Sequence, residues 1–186
     1  MCVLLLAACG STPKKPVIVI DQSIKKPSVQ LTQAQTARYQ QALTLMQQNK
    51  LDEAEPLFIE LIAQQPELTG AYVNLGAIEK DAKRIPKAQE YFTKALDINP
   101  NFVDALVQKA SIHQDLGEFS NAEDLLRRAE AIQPENPIVN YNLGVLYELY
   151  LQEYDLAIQY YKRYVALSSA EDIETVKRWI LLLERK

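Results

Sequence analysis

The stretch from Thr69 to Phe102, TGAYVNLGAIEKDAKRIPKAQEYFTKALDINPNF, decides the fold, because its landmarks return through the rest of the chain. Tyr72-x2-Leu75-Gly76 opens one helical pattern, Ala88-x3-Phe92-x2-Ala95 fills a second, and Asn99-Pro100 stops it. A step of 34 residues carries Gly76 back to Ala42 and on to Ala110 and Gly144, and carries Pro100 to Pro66 and Pro134. The column Ala54, Ala88 and Ala122 keeps the same step, and Ala157 arrives one residue late. At about 3.6 residues per turn, Tyr72, Leu75, Gly76 and Glu79 share one stripe of a first helix A. Small residues at Gly76 and Ala88 let helix A and the following helix B approach closely, while Phe92 and Leu96 fill the space beside them. Pro100 cannot continue helix B. One such hairpin leaves an apolar face open, so about three or more must stack before a core exists.

This period and signature resemble the tetratricopeptide repeat (TPR), a helix-turn-helix unit that stacks into a solenoid. The resemblance implies an all-α, right-handed superhelix over residues 32–170, with four repeats at about 35–68, 69–102, 103–136 and 137–170. Repeat one begins at Thr32, an N-cap whose Gln35 completes a capping box, and Asp52 is expected to cap its helix B. Pro56 and Pro86 fall in first turns of helices, where no intrahelical donor is lost. Ser120 with Glu123 reads as another capping box, and Asn136-Pro137 as an N-cap followed by proline at the first helical position. Repeat four takes one extra residue between Tyr147 and Tyr154. After it, Ile173, Val176, Trp179, Ile180 and Leu183 form one stripe of an amphipathic helix in residues 171–186, which caps the open end.

The two cysteines, Cys2 and Cys9, precede the repeats, so the repeat region holds neither a disulfide nor a thiolate metal site. Residues Val3 to Ala8 are an apolar run ending in Leu6-Ala7-Ala8-Cys9-Gly10-Ser11, which resembles the lipobox of bacterial lipoproteins. That resemblance implies removal of residues 1–8 as a signal remnant, acylation of Cys9 with palmitate among its chains, and outer-membrane sorting, which Gly10 permits. The departure is the missing Lys or Arg before the apolar run, from which a natural start upstream of Met1 is expected. Residues 9–31, with Pro13, Pro16, Pro27 and four lysines, read as a tether. Its roughly 22 residues after the cysteine span about 25 Å as a coil and about 75 Å pulled straight. Within it Val17-Ile18-Val19-Ile20 is strand-prone between two lysine pairs, and either adds to a partner's sheet edge or folds back on its own domain.

These residues read as no enzyme. The single His113 occupies the position of Tyr147, a core stripe site, and neither nucleophile–base pairs nor convergent metal ligands accompany it. Carboxylates such as Glu53, Glu55, Glu123 and Asp124 sit at helix starts, where the dipole favours them, and a glycine loop for phosphate is absent. No cofactor, metal or small-molecule substrate is expected. Residues 1–34 hold four lysines and one aspartate, whereas residues 35–186 hold 16 basic and 23 acidic groups, so the solenoid repels nucleic acid.

The TPR resemblance also implies a concave surface lined by helix A that binds peptides or helices of partner proteins. Carried over by position, the lining is Tyr39, Leu43 and Met46; Val73, Ala77 and Lys80; Val107, Ser111 and Gln114; and Ile138, Tyr141, Val145 and Glu148. The Lys and Asn with which some chaperone-binding TPRs clamp a terminal carboxylate fall at Tyr39 and Leu43, which argues against that activity. Asn74 and Asn142 either hydrogen-bond an extended peptide or satisfy neighbouring helices. Seven of the ten tyrosines lie between Tyr141 and Tyr164, as interface anchors or as packing against Trp179, with Tyr141 the best binding candidate. The sequence therefore leads to a lipid-anchored TPR adaptor on the periplasmic face of the outer membrane that helps assemble an envelope complex. The alternative is a non-lipidated cytosolic TPR co-chaperone or regulator.

Overall fold

The computed structural model describes residues 29–169 and 173–185, and every regular element among them is helical. The order is α1 (Gln33–Gln47), α2 (Leu51–Gln64), α3 (Thr69–Asp81), α4 (Ile85–Ile98), α5 (Val103–Asp115), α6 (Phe119–Ile132), α7 (Pro137–Val145), α8 (Tyr154–Leu167) and α9 (Ile173–Leu183). A π-helical stretch, Leu146–Leu151, follows α7 directly. Cys9, the signal remnant, Val17–Ile20 and most of the tether lie outside the described residues.

Each odd-numbered helix from α1 to α7 packs against its successor as a hairpin, and the hairpins stack into the right-handed superhelix that the 34-residue step implied. The hairpin contact is as tight as the small residues suggested. A Cβ added to Gly76 would lie 2.4 Å from Phe92 Cε1, and one added to Gly144 would lie 2.6 Å from the Tyr161 ring. The alanines Ala42, Ala54, Ala88, Ala110, Ala122 and Ala157 are all fully buried, as are Phe58, Phe92 and Leu126.

Two caps stand where the sequence put them. Thr32 Oγ1 accepts from the Gln35 amide at 3.2 Å while Gln35 Oε1 accepts from the Thr32 amide at 2.9 Å. Asn136 Oδ1 accepts from the amides of Ile138 and Val139, with Pro137 as the first helical residue. The other two do not form. Asp52 lies inside the first turn of α2, after Lys50, and Ser120 lies inside α6, which starts at Phe119 after Glu118. The reason is the turn between helices A and B. Asn49, Lys83 and Gly117 adopt positive φ of 59°, 62° and 77°, and the next amide closes back on the helix just ended: Lys50 to Leu45 O, Arg84 to Glu79 O, Glu118 to His113 O. This left-handed closure starts helix B at once and leaves no separate side-chain cap position.

Repeat four shows how the extra residue is absorbed. The π-helical stretch takes it up, Gln152 (φ 59°) supplies the positive-φ position, and Glu153 N–H reaches Tyr147 O, one residue further back than in the other turns. Beyond α8, α9 buries Val176, Ile180 and Leu183, so the stripe expected to close the open end does so.

Candidate functional site

The residues expected to line a concave face lie on α1, α3, α5 and α7, with Glu148 in the π-helical stretch. The residues assigned to it divide into two groups. Tyr39, Leu43, Met46, Val73, Asn74, Val107 and Gln114 are buried, so in this state they present no open surface to a ligand. Lys80, Glu148, Ala77, Ser111, Tyr141, Asn142 and Val145 are half-buried, and Ile138 is 40% exposed.

Members of both groups knit neighbouring repeats together. The Tyr39 ring meets Phe58 edge-on at 5.5 Å between centroids, and Asn74 Nδ2 donates to the Tyr39 hydroxyl at 3.0 Å. Asn74 thus ties repeat two to repeat one. Lys80 Nζ donates to Ser111 Oγ at 2.7 Å, joining repeats two and three. Asn142 Nδ2 donates to the Ile138 carbonyl of its own helix at 2.7 Å. Both of these asparagine contacts run to neighbouring or parent helices.

The tyrosine-rich end has a packing explanation for most of its rings. Tyr147 and Tyr160 stack at 5.7 Å, with the Arg127 guanidinium 5.5 Å from each centroid. The Tyr160 hydroxyl donates to Glu130, which also pairs with Arg127 and Arg163. Tyr150 packs on Phe119 at 4.8 Å. Tyr141 contacts Tyr164 at 5.3 Å, Tyr161 at 6.3 Å and Trp179 at 6.4 Å, so one ring joins α7, α8 and α9. The Tyr161 hydroxyl donates to Glu148 at 2.7 Å, and burial together with that acceptor pushes its phenol far above the ordinary range. Tyr141 keeps part of its surface open, which leaves α7 with a contiguous apolar face made by Ile138, Tyr141 and Val145.

One arrangement was not anticipated as charged. Glu79, on the stripe with Tyr72 and Gly76, has a fully buried side chain that pairs with Arg84 and Lys87, both of which also face Glu55. Burial pushes its carboxyl up, but the hydrogen bonds and charges of Arg84 and Lys87 outweigh that and hold it below the usual carboxylate range. His113, one step on, half-buried, has Nδ1 at 2.5 Å from Glu118 Oε2 and ties the turn rather than facing the concave side. Its hydrogen bond, with that of Asn121, lowers the Glu118 carboxyl. Among the described residues no group of three or more His, Cys, Asp or Glu could hold a metal ion, and no helix is long and apolar enough to cross a membrane.

Stacked helical hairpins of this kind define an α-solenoid, a fold that suggests a protein-interaction role. Three family models described as tetratricopeptide repeat match residues 39–101, 80–141 and 138–171, and together they span most of the chain. The chain belongs to the tetratricopeptide repeat family. A thermophilic TPR protein of Thermus thermophilus, TTC0263, superposes with TM-score 0.69 at 22% identity, over 86% of this chain and 85% of that one. A tetratricopeptide repeat protein from Parabacteroides merdae ATCC 43184 gives 0.61 at 20%, over 82% and 61%, and MamA gives 0.56 at 20%, over 77% and 86%. Identities this low establish the fold alone.

Among curated proteins the chain is 26% identical over 100 residues to the human protein O-mannosyl-transferase TMTC3, covering 53% of this chain and 11% of that protein. It is also 28% identical over 71 residues to the UDP-N-acetylglucosamine–peptide N-acetylglucosaminyltransferase of Giardia intestinalis, 38% of this chain and 5% of that protein. This chain thus spans about a tenth or less of the curated relatives it matches.

Proposed function

We propose that this protein is a non-catalytic, lipid-anchored TPR adaptor whose concave face holds a partner protein and helps assemble a complex of the bacterial envelope. The TPR fold supports the coarser reading, a protein-interaction scaffold. The observation that carries the finer one is the α7 face, where Ile138 is 40% exposed beside half-buried Tyr141 and Val145 in the solenoid's last repeat. An exposed aliphatic beside an aromatic anchor is the composition of an interface centre. Cys9 after Leu6-Ala7-Ala8 supports the lipid anchor, and Gly10 supports an outer-membrane destination. Three acyl chains hold a protein firmly where one does so marginally. The net acidic character of residues 35–186 favours a partner with a basic rim.

Paired measurements test both halves. Ile138→Asp with Val145→Asp abolishes partner capture while the helical signal is unchanged, because both side chains keep exposed surface. Cys9→Ser moves the protein from the membrane fraction to the soluble one. A wild-type protein found in the soluble cytosolic pool refutes the anchor and favours the cytosolic co-chaperone or regulator.

A further inference from the structure

Among the described residues four large apolar side chains are more than half exposed: Leu116 at 54%, Leu149 at 61%, Leu181 at 55% and Leu182 at 59%. They are not scattered. Leu116, Leu149 and Leu182 recur at a step of 33 residues, at the end of α5, in the π-helical stretch and near the end of α9. The same place in the first two repeats holds Gln48 and Ala82. Phe119 and Tyr150, whose rings lie 4.8 Å apart, link the turn of Leu116 to the stretch of Leu149. Exposed apolar side chains grouped in this way mark interaction surfaces. Charge divides the group in two. The segments 110–126 and 142–161, around Leu116 and Leu149, hold seven carboxylates and no Lys or Arg. Glu118 is tied to His113 and Asn121, but exposed Glu153 and Asp155 pair with no cation among the described residues. In α9 the sign is reversed: the exposed stripe Lys177, Arg178, Leu181, Leu182 and Arg185 sets two leucines among three cations. Lys177 pairs with Glu174 of its own helix, whereas Arg178 bonds the Thr175 hydroxyl at 3.0 Å, and neither Arg178 nor Arg185 meets a carboxylate among the described residues.

We infer that this chain associates with a second copy of itself, the exposed stripe of α9 in one protomer lying on the acidic leucine edge of repeats three and four in its partner. Each surface supplies what the other lacks. Leu181 and Leu182 cover Leu116 and Leu149, while Arg178 and Arg185 bring positive charge to an edge that carries Glu153 and Asp155 and no cation of its own. Size decides the symmetry. A stable interface buries about 800 Å² per partner, and the 11 residues of α9 are only about 16 Å long, so a single contact of this kind is weak. Both surfaces belong to the C-terminal half of the chain, so under a twofold axis each protomer gives its α9 and receives its partner's. That doubles the buried surface and closes the assembly at two copies. The contact uses none of Ile138, Tyr141 and Val145, so it stands apart from the adaptor reading.

Sedimentation velocity and photo-crosslinking test this on the full-length chain with Cys9→Ser, kept reduced so that neither lipid nor disulfide joins copies. A monomer–dimer equilibrium with a Kd in the micromolar range is expected, weakening as salt is raised. Leu149→Asn and Leu182→Asn each raise that Kd about tenfold or more without changing the net charge, and circular dichroism stays unchanged because both side chains are exposed. A photo-reactive apolar side chain at Leu116 gives an adduct at dimer mass that maps to residues 173–185. A chain that stays monomeric throughout the micromolar range overturns the inference, and so does a dimer that neither asparagine variant weakens or a Leu116 adduct that never reaches α9. A monomer that binds phosphatidylglycerol vesicles, and loses that binding in Leu182→Asn, assigns the α9 stripe to a lipid surface and overturns it as well.

Discussion

Gly76→Ala is the sharpest test of how the hairpins are held. The added Cβ would stand 2.4, 2.7 and 2.8 Å from three atoms of the Phe92 ring, where contact between carbons is about 3.5–4 Å. Phe92 is fully buried, with Ala88 and Ala95 also at 0% exposure on its own helix, so the ring cannot simply swing aside. Overpacking of this kind costs about 1–3 kcal/mol, and a fixed aromatic ring puts it near the top of that range. Alanine returns about 1 kcal/mol through its better helix propensity. The net loss is about 2 kcal/mol, and at about 2–4 °C per kcal/mol for a chain of this size the thermal midpoint falls by about 4–8 °C. Thermal unfolding followed by far-ultraviolet circular dichroism reads it, and Phe92→Leu in the Gly76→Ala background should recover part of the loss. An unchanged or raised midpoint for Gly76→Ala would show that the A–B contact has slack and that the small-residue column has another cause.

Three further outcomes follow from the same packing. Gly117→Ala, at φ 77° with open space around it, lowers stability by about 1 kcal/mol through backbone conformation alone, read from the urea midpoint. Glu79 has its carboxyl lowered on folding from an ordinary value of 4.5, so its contribution is present above that value and lost as pH falls through the lower folded one. Urea midpoints against pH should therefore drop on the acid side for the wild type, and Glu79→Gln should be weaker at neutral pH with a flatter acid limb. Trp179→Ala removes the ring that meets Tyr141 and Tyr161, at a cost of about 3 kcal/mol, and hydrogen exchange should show the loss concentrated in α7, α8 and α9.

The hairpin geometry was legible because steric demands recur at a fixed step. Gly76 and Gly144 face rings, Ala88 and Ala122 face the partner helix, and the extra residue after Tyr147 appears as the π-helical stretch in the interval expected. What the sequence concealed are features that depend on backbone closure or on side chains far apart in the chain. Lys83 and Asn49 adopt positive φ without the glycine that marks Gly117, so the turn itself replaced the caps expected at Asp52 and Ser120. Glu79 sat visibly on the core stripe, but its partners Arg84 and Lys87 come from beyond the turn. Among the residues expected on the concave face, position within the repeat gave the helix but not the burial: Tyr39 and Asn74 bond to each other across repeats, while Ile138, Tyr141 and Val145 keep part of their surface.

The measurement that bears most directly on the adaptor is photo-crosslinking in cells from Ile138 and Val145 of the full-length protein, with Arg128 as the outward control and Cys9→Ser alongside. The account predicts one discrete adduct from the two α7 positions, none from Arg128, and a weaker adduct in Cys9→Ser because the protein has left its membrane. Silence at Ile138 and Val145 with adducts at Arg128 would contradict it and move the partner to the outer surface of the solenoid.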